Sequence, residues 1–189
     1  MENYERLRGM VSQSAWLMRA LRAVRSVGLP DWVIGSGAIR NLVWDELHGF
    51  AQPTPLNDVD VAFFDPSDVT RGRDAAIERD LARLLPGVPW EVTNQAGVHL
   101  WYEAKFGHPI RALTSIEDAL AHWPETATSV GVSLAPDDSV RVIAPLGLDD
   151  LLGLVLRRNP AQVSAEFFRE RVASKRIRET WPKVVVVDG

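Results

Sequence analysis

Asp31-Trp-Val-Ile-Gly-Ser-Gly-Ala-Ile-Arg-Asn41, followed by Asn57-Asp-Val-Asp-Val-Ala-Phe-Phe64, is the stretch that decides the fold. Trp32-Val33-Ile34 has the composition of a short strand, and Gly35-Ser36-Gly37 ends it and opens a helix. A helix that starts at such a turn presents unpaired N–H groups and the positive end of its dipole, a ready site for phosphate. Asp58 and Asp60 lie two apart on the next strand. Strand side chains alternate, so both carboxylates leave the same face, as carriers of one or two Mg2+ or Mn2+ ions must. Strand interiors disfavour Asp, and two like charges on one face repel unless a cation or donors compensate them.

Outward from this stretch the chain alternates helical and extended patterns. Residues 4–27 carry Leu7, Met10, Val11, Leu17, Met18, Leu21 and Val24 on one helical stripe that ends near Gly28 and Pro30. Helices are predicted over 38–48 and 68–85, strands over 32–34, 59–64 and 90–93, and residues 50–55 read as a loop. The second half predicts a helix at 115–123, strands at 127–134 and 140–143 and a helix over 148–156. Pro136-Asp-Asp-Ser139 joins those two strands as a hairpin, and Lys183-Val-Val-Val-Val187 reads as an edge strand or a tail docked on the sheet. Asp149 and Asp150, in the first turn of the 148–156 helix, complement its dipole. The whole reads as one α/β (α+β) domain over residues 1–189, a mixed central sheet flanked by helices.

Glu91 is the only acid in the predicted third strand. It alternates with Trp90 and Val92, in phase to face the cleft that Asp58 and Asp60 face. Asn94 and Gln95, which follow, carry amides that can orient metal-bound water or substrate.

Composition narrows the class. The chain is 189 residues long and 46% hydrophobic, enough to bury a full core, and no apolar run approaches the roughly 20 residues that a membrane span needs. Met1-Glu-Asn-Tyr-Glu5 lacks the basic start and apolar block of a secretory signal, so a cytoplasmic location is expected. Without cysteine there is no disulfide, thiolate site or cysteine nucleophile, and the four histidines show no metal-ligand spacing. The net charge of −4 divides unevenly: residues 157–183 carry +5 and the remainder −9. A basic helix there reads as a solvated face laced with Glu166, Glu170 and Glu179, as a surface for a phosphate-rich partner, or as an offset to the acidic metal site of its own fold. A dinucleotide-binding oxidoreductase is excluded because the third glycine position of G-x-G-x-x-G is Arg40.

The residues Gly35-Ser36-Gly37, Arg40, Asp58 and Asp60 resemble the Gly-Gly-x-x-Arg-Asp … Asp-x-Asp pattern of the DNA polymerase beta type nucleotidyltransferases, and within them the head domain of the CCA-adding enzymes. Two departures stand out: Asn41 occupies the position of the pattern's Asp, and the gap from Ser36 to Asp58 is longer than usual. Asn94-Gln-Ala96, His99, Trp123-Pro-Glu-Thr-Ala127 and Ala144-Pro-Leu-Gly-Leu-Asp-Asp150 are similar to those of small stand-alone bacterial nucleotidyltransferase-like proteins, a similarity that runs from about Trp16 to Trp181.

The resemblance implies an Mg2+-dependent transfer of a nucleoside monophosphate from a nucleoside triphosphate to a hydroxyl of a small molecule, protein or RNA. Neither DNA nor a membrane is an expected partner. Asp58, Asp60 and Glu91 would hold metal and catalyse, while Gly35, Ser36, Gly37 and Arg40 would hold phosphate. A side chain at Gly35 should then obstruct the phosphate far more than loss of the Ser36 hydroxyl. The alternative is a noncatalytic nucleotide-binding or protein-interaction module that keeps the fold, which Asn41 allows.

Overall fold

The structure, a computed structural model, describes residues 1–188. The N-terminal stripe forms two helices rather than one, α1 (Glu2–Gln13) and α2 (Ala15–Val27), because Ser14 adopts an extended ψ of 97°. Ser14 lies on the same 3.6-residue stripe as Leu7, Val11, Leu17 and Leu21, so the break leaves the hydrophobic periodicity intact and invisible in sequence. Serine also competes with helical hydrogen bonding, which makes it a natural breakpoint. The break lets α1 pack towards the far edge of the sheet while α2 ends at Gly28, whose φ of 76° suits glycine.

The central sheet contains β1 (Val33–Gly35), β2 (Val59–Phe63), β3 (Trp90–Asn94), β4 (Gly131–Leu134) and β5 (Val140–Ile143), in the order β3-β2-β1-β4-β5. It is mixed: β2 and β3 run parallel, and the other neighbours are antiparallel. Between the strands lie α3 (Gly37–His48) and α4 (Arg71–Leu84), which cover one face. Val59, Val61 and Phe63 point into that core, with Ile34, Val92 and the buried stripes of α1 to α3. The alternate residues of β2, Asp60 and Ala62, therefore occupy the opposite face, where Ala62 packs with Val33, Ile116 and Leu120. That second face carries the candidate site.

After β3 the chain makes a 3₁₀ segment (Gln95–Leu100), then α5 (Tyr102–Phe106) and α6 (Ile116–Ala121). Residues 126–128 form a further 3₁₀ turn instead of strand, tied back by the Thr128 and Ser129 hydroxyls, which donate to the Glu125 carbonyl. The 136–139 hairpin is present: Asp137 accepts from the Ser139 N–H and hydroxyl, and Asp138 pairs with Arg22 and Arg25 of α2.

The predicted 148–156 helix is corrected to a single turn, α7 (Asp149–Leu152), followed by β6 (Val155–Arg157). Leu154 takes a φ of 58° there, turning the chain out of the helix so that Leu156 is buried in a strand. The C-terminal tail, β7 (Val185–Val187), pairs in parallel with β6 in its own two-stranded sheet and does not dock on the central one. Between them α8 (Ala165–Ser174) and α9 (Ile177–Thr180) replace a single basic helix over 157–183. No helix among the described residues is long and apolar enough to cross a membrane.

Candidate active site

A cleft of about 560 Å³ opens on the second face of the sheet. Asp58, Asp60 and Glu91 form its floor, Ser36 of the β1–α3 turn and Trp123 line its side, and Arg171 of α8 and Lys175 at its C-terminal cap enclose it from above.

The floor follows from alternation and register. Asp58 and Asp60 share a face by period, and in the parallel ladder Asp60 is the direct partner of Glu91. Neighbouring strands lie about 4.8 Å apart, so Asp60 and Glu91 spring from adjacent backbone positions on the same side. Their mutual influence is visible in the pKa of Asp60, which is pushed up to about 6 by burial first, then by the charges of Asp58 and Glu91. The Ser36 hydroxyl and Lys175 pull it the other way. Three carboxylates, one of them reluctant to ionise, form a donor set suited to a hard divalent cation. No three His, Asp or Glu residues among those described close tightly enough to cage an ion unaided. Mg2+ commonly takes one or two carboxylates and completes its shell with water and substrate phosphate, which this open arrangement permits.

The glycine turn differs from expectation in detail. Ser36 sits at φ 54° and ψ −125°, an unusual conformation for a residue with a side chain, and its N–H donates to the Val130 carbonyl. The backbone donors left for phosphate are therefore those of the first turn of α3, from Gly37 onwards, together with the Ser36 hydroxyl.

The expected role of Gly35 is corrected here. A Cβ on Gly35 would lie 2.8 Å from both the Trp123 ring and the Val130 carbonyl oxygen, so the glycine permits packing of protein against protein. Gly37 is the residue that borders the carboxylates: a Cβ there would meet Arg40 Nη2 at 3.6 Å and Asp58 Oδ1 at 3.9 Å. Gly35→Ala should accordingly destabilise the fold by about 1–3 kcal/mol through overpacking. Gly37→Ala should melt close to the wild type. Thermal melts of the two variants check this, and a Gly35→Ala protein as stable as wild type would contradict it.

Arg40 does not line the cleft. It is 7% exposed beneath the turn, with its guanidinium 5.7 Å from the Trp44 ring and 5.0 Å from the Trp181 ring. Its Nε and Nη2 both donate to the Asn41 side-chain oxygen, at 3.1 and 2.8 Å. Asn41 thus supplies an acceptor without a charge where the family pattern has a carboxylate. Burial lowers the pKa of the Arg40 guanidinium from its ordinary value, opposed by Glu125, Asp58 and Asp60 and reinforced by Arg171. A direct bond from Arg40 to phosphate does not fit this burial. A field from below the turn does. Trp181, 2% exposed and donating to Asp45 at 2.7 Å, ties the C-terminal segment to this position.

Asn94 is structural rather than water-orienting. It is buried, its oxygen accepts from the N–H groups of Asp65 and Ala96, and its amide donates to the carbonyls of Asp65 and Asp68. Gln95 does line the cleft. Asp150 and Arg157 pair with each other at 2.9 Å, and neither lines it.

Sequence reading named no residue of the α8 wall, although a basic helix offsetting the acidic site was among its alternatives. Ser164, Phe167, Arg171 and Lys175 all line the cleft, and their spacing of three, four and four residues places them on one helical stripe. That spacing was visible in the sequence. What was not visible is that this polar stripe turns inward. Glu125, 2% exposed, pairs with Arg171 and accepts from the Thr128 hydroxyl at 2.7 Å.

A family model described as nucleotidyltransferase matches residues 22–186. No curated protein matches. Among solved structures, one described as revealing a CCA-adding enzyme head domain superposes with a TM-score of 0.79 at 26% identity, covering 96% of this chain and 94% of that one. A CCA-adding enzyme solved with CTP superposes with a TM-score of 0.54 at 15% identity, a likeness of fold. It covers 96% of this chain, which spans 42% of that enzyme's length.

Proposed function

The chain belongs to this nucleotidyltransferase family, and on that premise we propose that it moves a nucleoside monophosphate from a nucleoside triphosphate to an acceptor hydroxyl. The observation that carries the reading is the ladder register that sets Glu91 directly beside Asp60, one strand from a helix N-terminus whose first glycine borders Asp58.

Asp58 and Asp60 would hold Mg2+, with Glu91 at its edge. When bound, the ion supplies charge neutralisation at the phosphate oxygens and acidifies the attacking hydroxyl. The first-turn N–H groups of α3 and the Ser36 hydroxyl hold phosphate oxygens against the floor. Glu91, more exposed than either aspartate, accepts the proton of the acceptor hydroxyl or orients it. The acceptor oxygen bonds to the α-phosphorus, the bond from that phosphorus to its bridging oxygen breaks, and pyrophosphate leaves with the electron pair.

Incubation of the protein with each α-labelled nucleoside triphosphate, Mg2+ and a cell extract should yield a labelled product and pyrophosphate, both dependent on metal. Tight metal-dependent binding of a triphosphate with no label transferred from any of the four would assign the noncatalytic module instead.

A further inference from the structure

We propose that Arg171 of α8 and Lys175 at its C-terminal cap grip the β and γ phosphates of the nucleotide, so that the C-terminal segment supplies the leaving-group half of the site. This rests on the nucleotidyl-transfer reading above. The phase of α8 is set by two anchors. Ser164 caps its N-terminus by accepting from the Phe167 N–H at 3.2 Å, and Phe168, fully buried, seats the side of the helix that flanks the stripe in the core. With that phase, positions 171 and 175 turn towards the carboxylate floor.

The two cations differ in how they are held. Arg171 is oriented by the buried Glu125. Lys175 is half-buried and forms no ion pair among the described residues, although it lies close enough to Asp58 and Asp60 to influence Asp60. Burial, followed by Arg171 and Arg40, lowers the pKa of the Lys175 ammonium from its ordinary value, against the pull of Asp58 and Glu125. Arg171 and Lys175 line one end of the cleft above the buried Arg40, and the one buried anion beside them, Glu125, is taken up by Arg171, so Lys175 faces the cleft with countercharge only from the floor carboxylates. The floor carboxylates cannot fill that role once a divalent cation occupies them. A polyphosphate bound between floor and helix would answer both charges: it would face the metal held by Asp58 and Asp60 on one side and accept from Arg171 and Lys175 on the other. As pyrophosphate departs, negative charge grows on the oxygens these cations face.

The cleft also has a direction. From Lys175 back to Ser164 the α8 stripe spans about 16 Å and changes from cationic to neutral. Along the strands the floor changes from Asp60 beside Glu91 to Ala62 beside Thr93, and Val98 of the 3₁₀ segment lines the cleft beyond the end of the sheet. A triphosphate lies at the charged end, with its nucleoside towards the other.

The test is calorimetric titration of Mg2+ with inorganic tripolyphosphate, and separately with ATP, CTP, GTP and UTP, into wild type, Lys175→Met, Lys175→Gln, Lys175→Arg and Arg178→Gln. Arg178 is exposed and lies outside the cleft. Loss of the Lys175 charge should weaken tripolyphosphate and triphosphate binding by about tenfold or more, while Lys175→Arg and Arg178→Gln stay within about threefold of wild type. Lys175→Met and Lys175→Gln proteins that are folded and bind both ligands as wild type does would overturn the clamp and leave the nucleotidyl-transfer reading intact. A wild type that binds neither tripolyphosphate nor any triphosphate overturns both.

Discussion

At pH 8 and without metal, Asp60→Asn should melt above the wild type, and it should transfer no measurable nucleotide. The opposite signs come from one cause. In the folded protein Asp60 holds its proton up to about pH 6 instead of the ordinary 3.8. The folded state therefore binds that proton more tightly than the unfolded chain does. The resulting stabilisation is complete below about pH 4 and is lost as pH rises towards 6. Above that, the native state carries a carboxylate that burial, Asp58 and Glu91 all disfavour. Partial exposure discounts the cost to about 2 kcal/mol, which for a chain of this size is roughly 4–8 °C in melting temperature. Asparagine has no such charge, so its advantage should be present at pH 8, shrink at pH 5 and vanish at pH 4. Mg2+ should raise the melting temperature of the wild type and leave an Asp58→Asn/Asp60→Asn double variant unmoved. Transfer should fall by about a thousandfold or more in either variant, because a metal ligand supplies several kcal/mol of charge stabilisation in such a reaction. Scanning calorimetry at three pH values, with and without Mg2+, checks the stability half. An Asp60→Asn protein that melts below wild type at pH 8 would show the carboxylate to be structural.

Glu91→Gln should separate chemistry from binding. If Glu91 takes or orients the proton of the acceptor hydroxyl, its amide should lower turnover by about 10²–10⁴-fold while triphosphate affinity stays within about threefold. The same substitution removes one of the charges that raise Asp60, so the Asp60 titration should move back towards its ordinary range. Single-turnover transfer, calorimetric binding and carboxylate NMR titration read these effects. Unchanged turnover would remove Glu91 from the chemistry. Equal loss of binding and turnover would make it a plain metal ligand.

Much of this was legible in the chain itself, for a physical reason. Strand and helix periods are local, so Val59-Asp-Val-Ala-Phe63 alone places Asp60 opposite the core, and Trp90-Glu-Val92 does the same for Glu91. Gly35-Ser-Gly37 likewise marked a strand-to-helix turn, and the mixed sheet flanked by helices followed from the order of the elements. Boundaries that depended on one residue's backbone, at Ser14 and Leu154, escaped because neither changes the apolar pattern around it.

Longer-range facts came only with the fold. No local period states that β2 and β3 lie parallel with Asp60 beside Glu91, since register is settled by which side chains the two strands share with the core. Gly35 looked like a phosphate-binding glycine until Trp123, 88 positions away, was found against it. Arg40 kept its family position yet lost its expected surface to Trp44 and Trp181. The α8 stripe reads as a solvated basic face in isolation, because a helical period tells which residues share a face and nothing about what that face meets. Burial of Phe168 and the pairing of β6 with β7 turn it over the cleft.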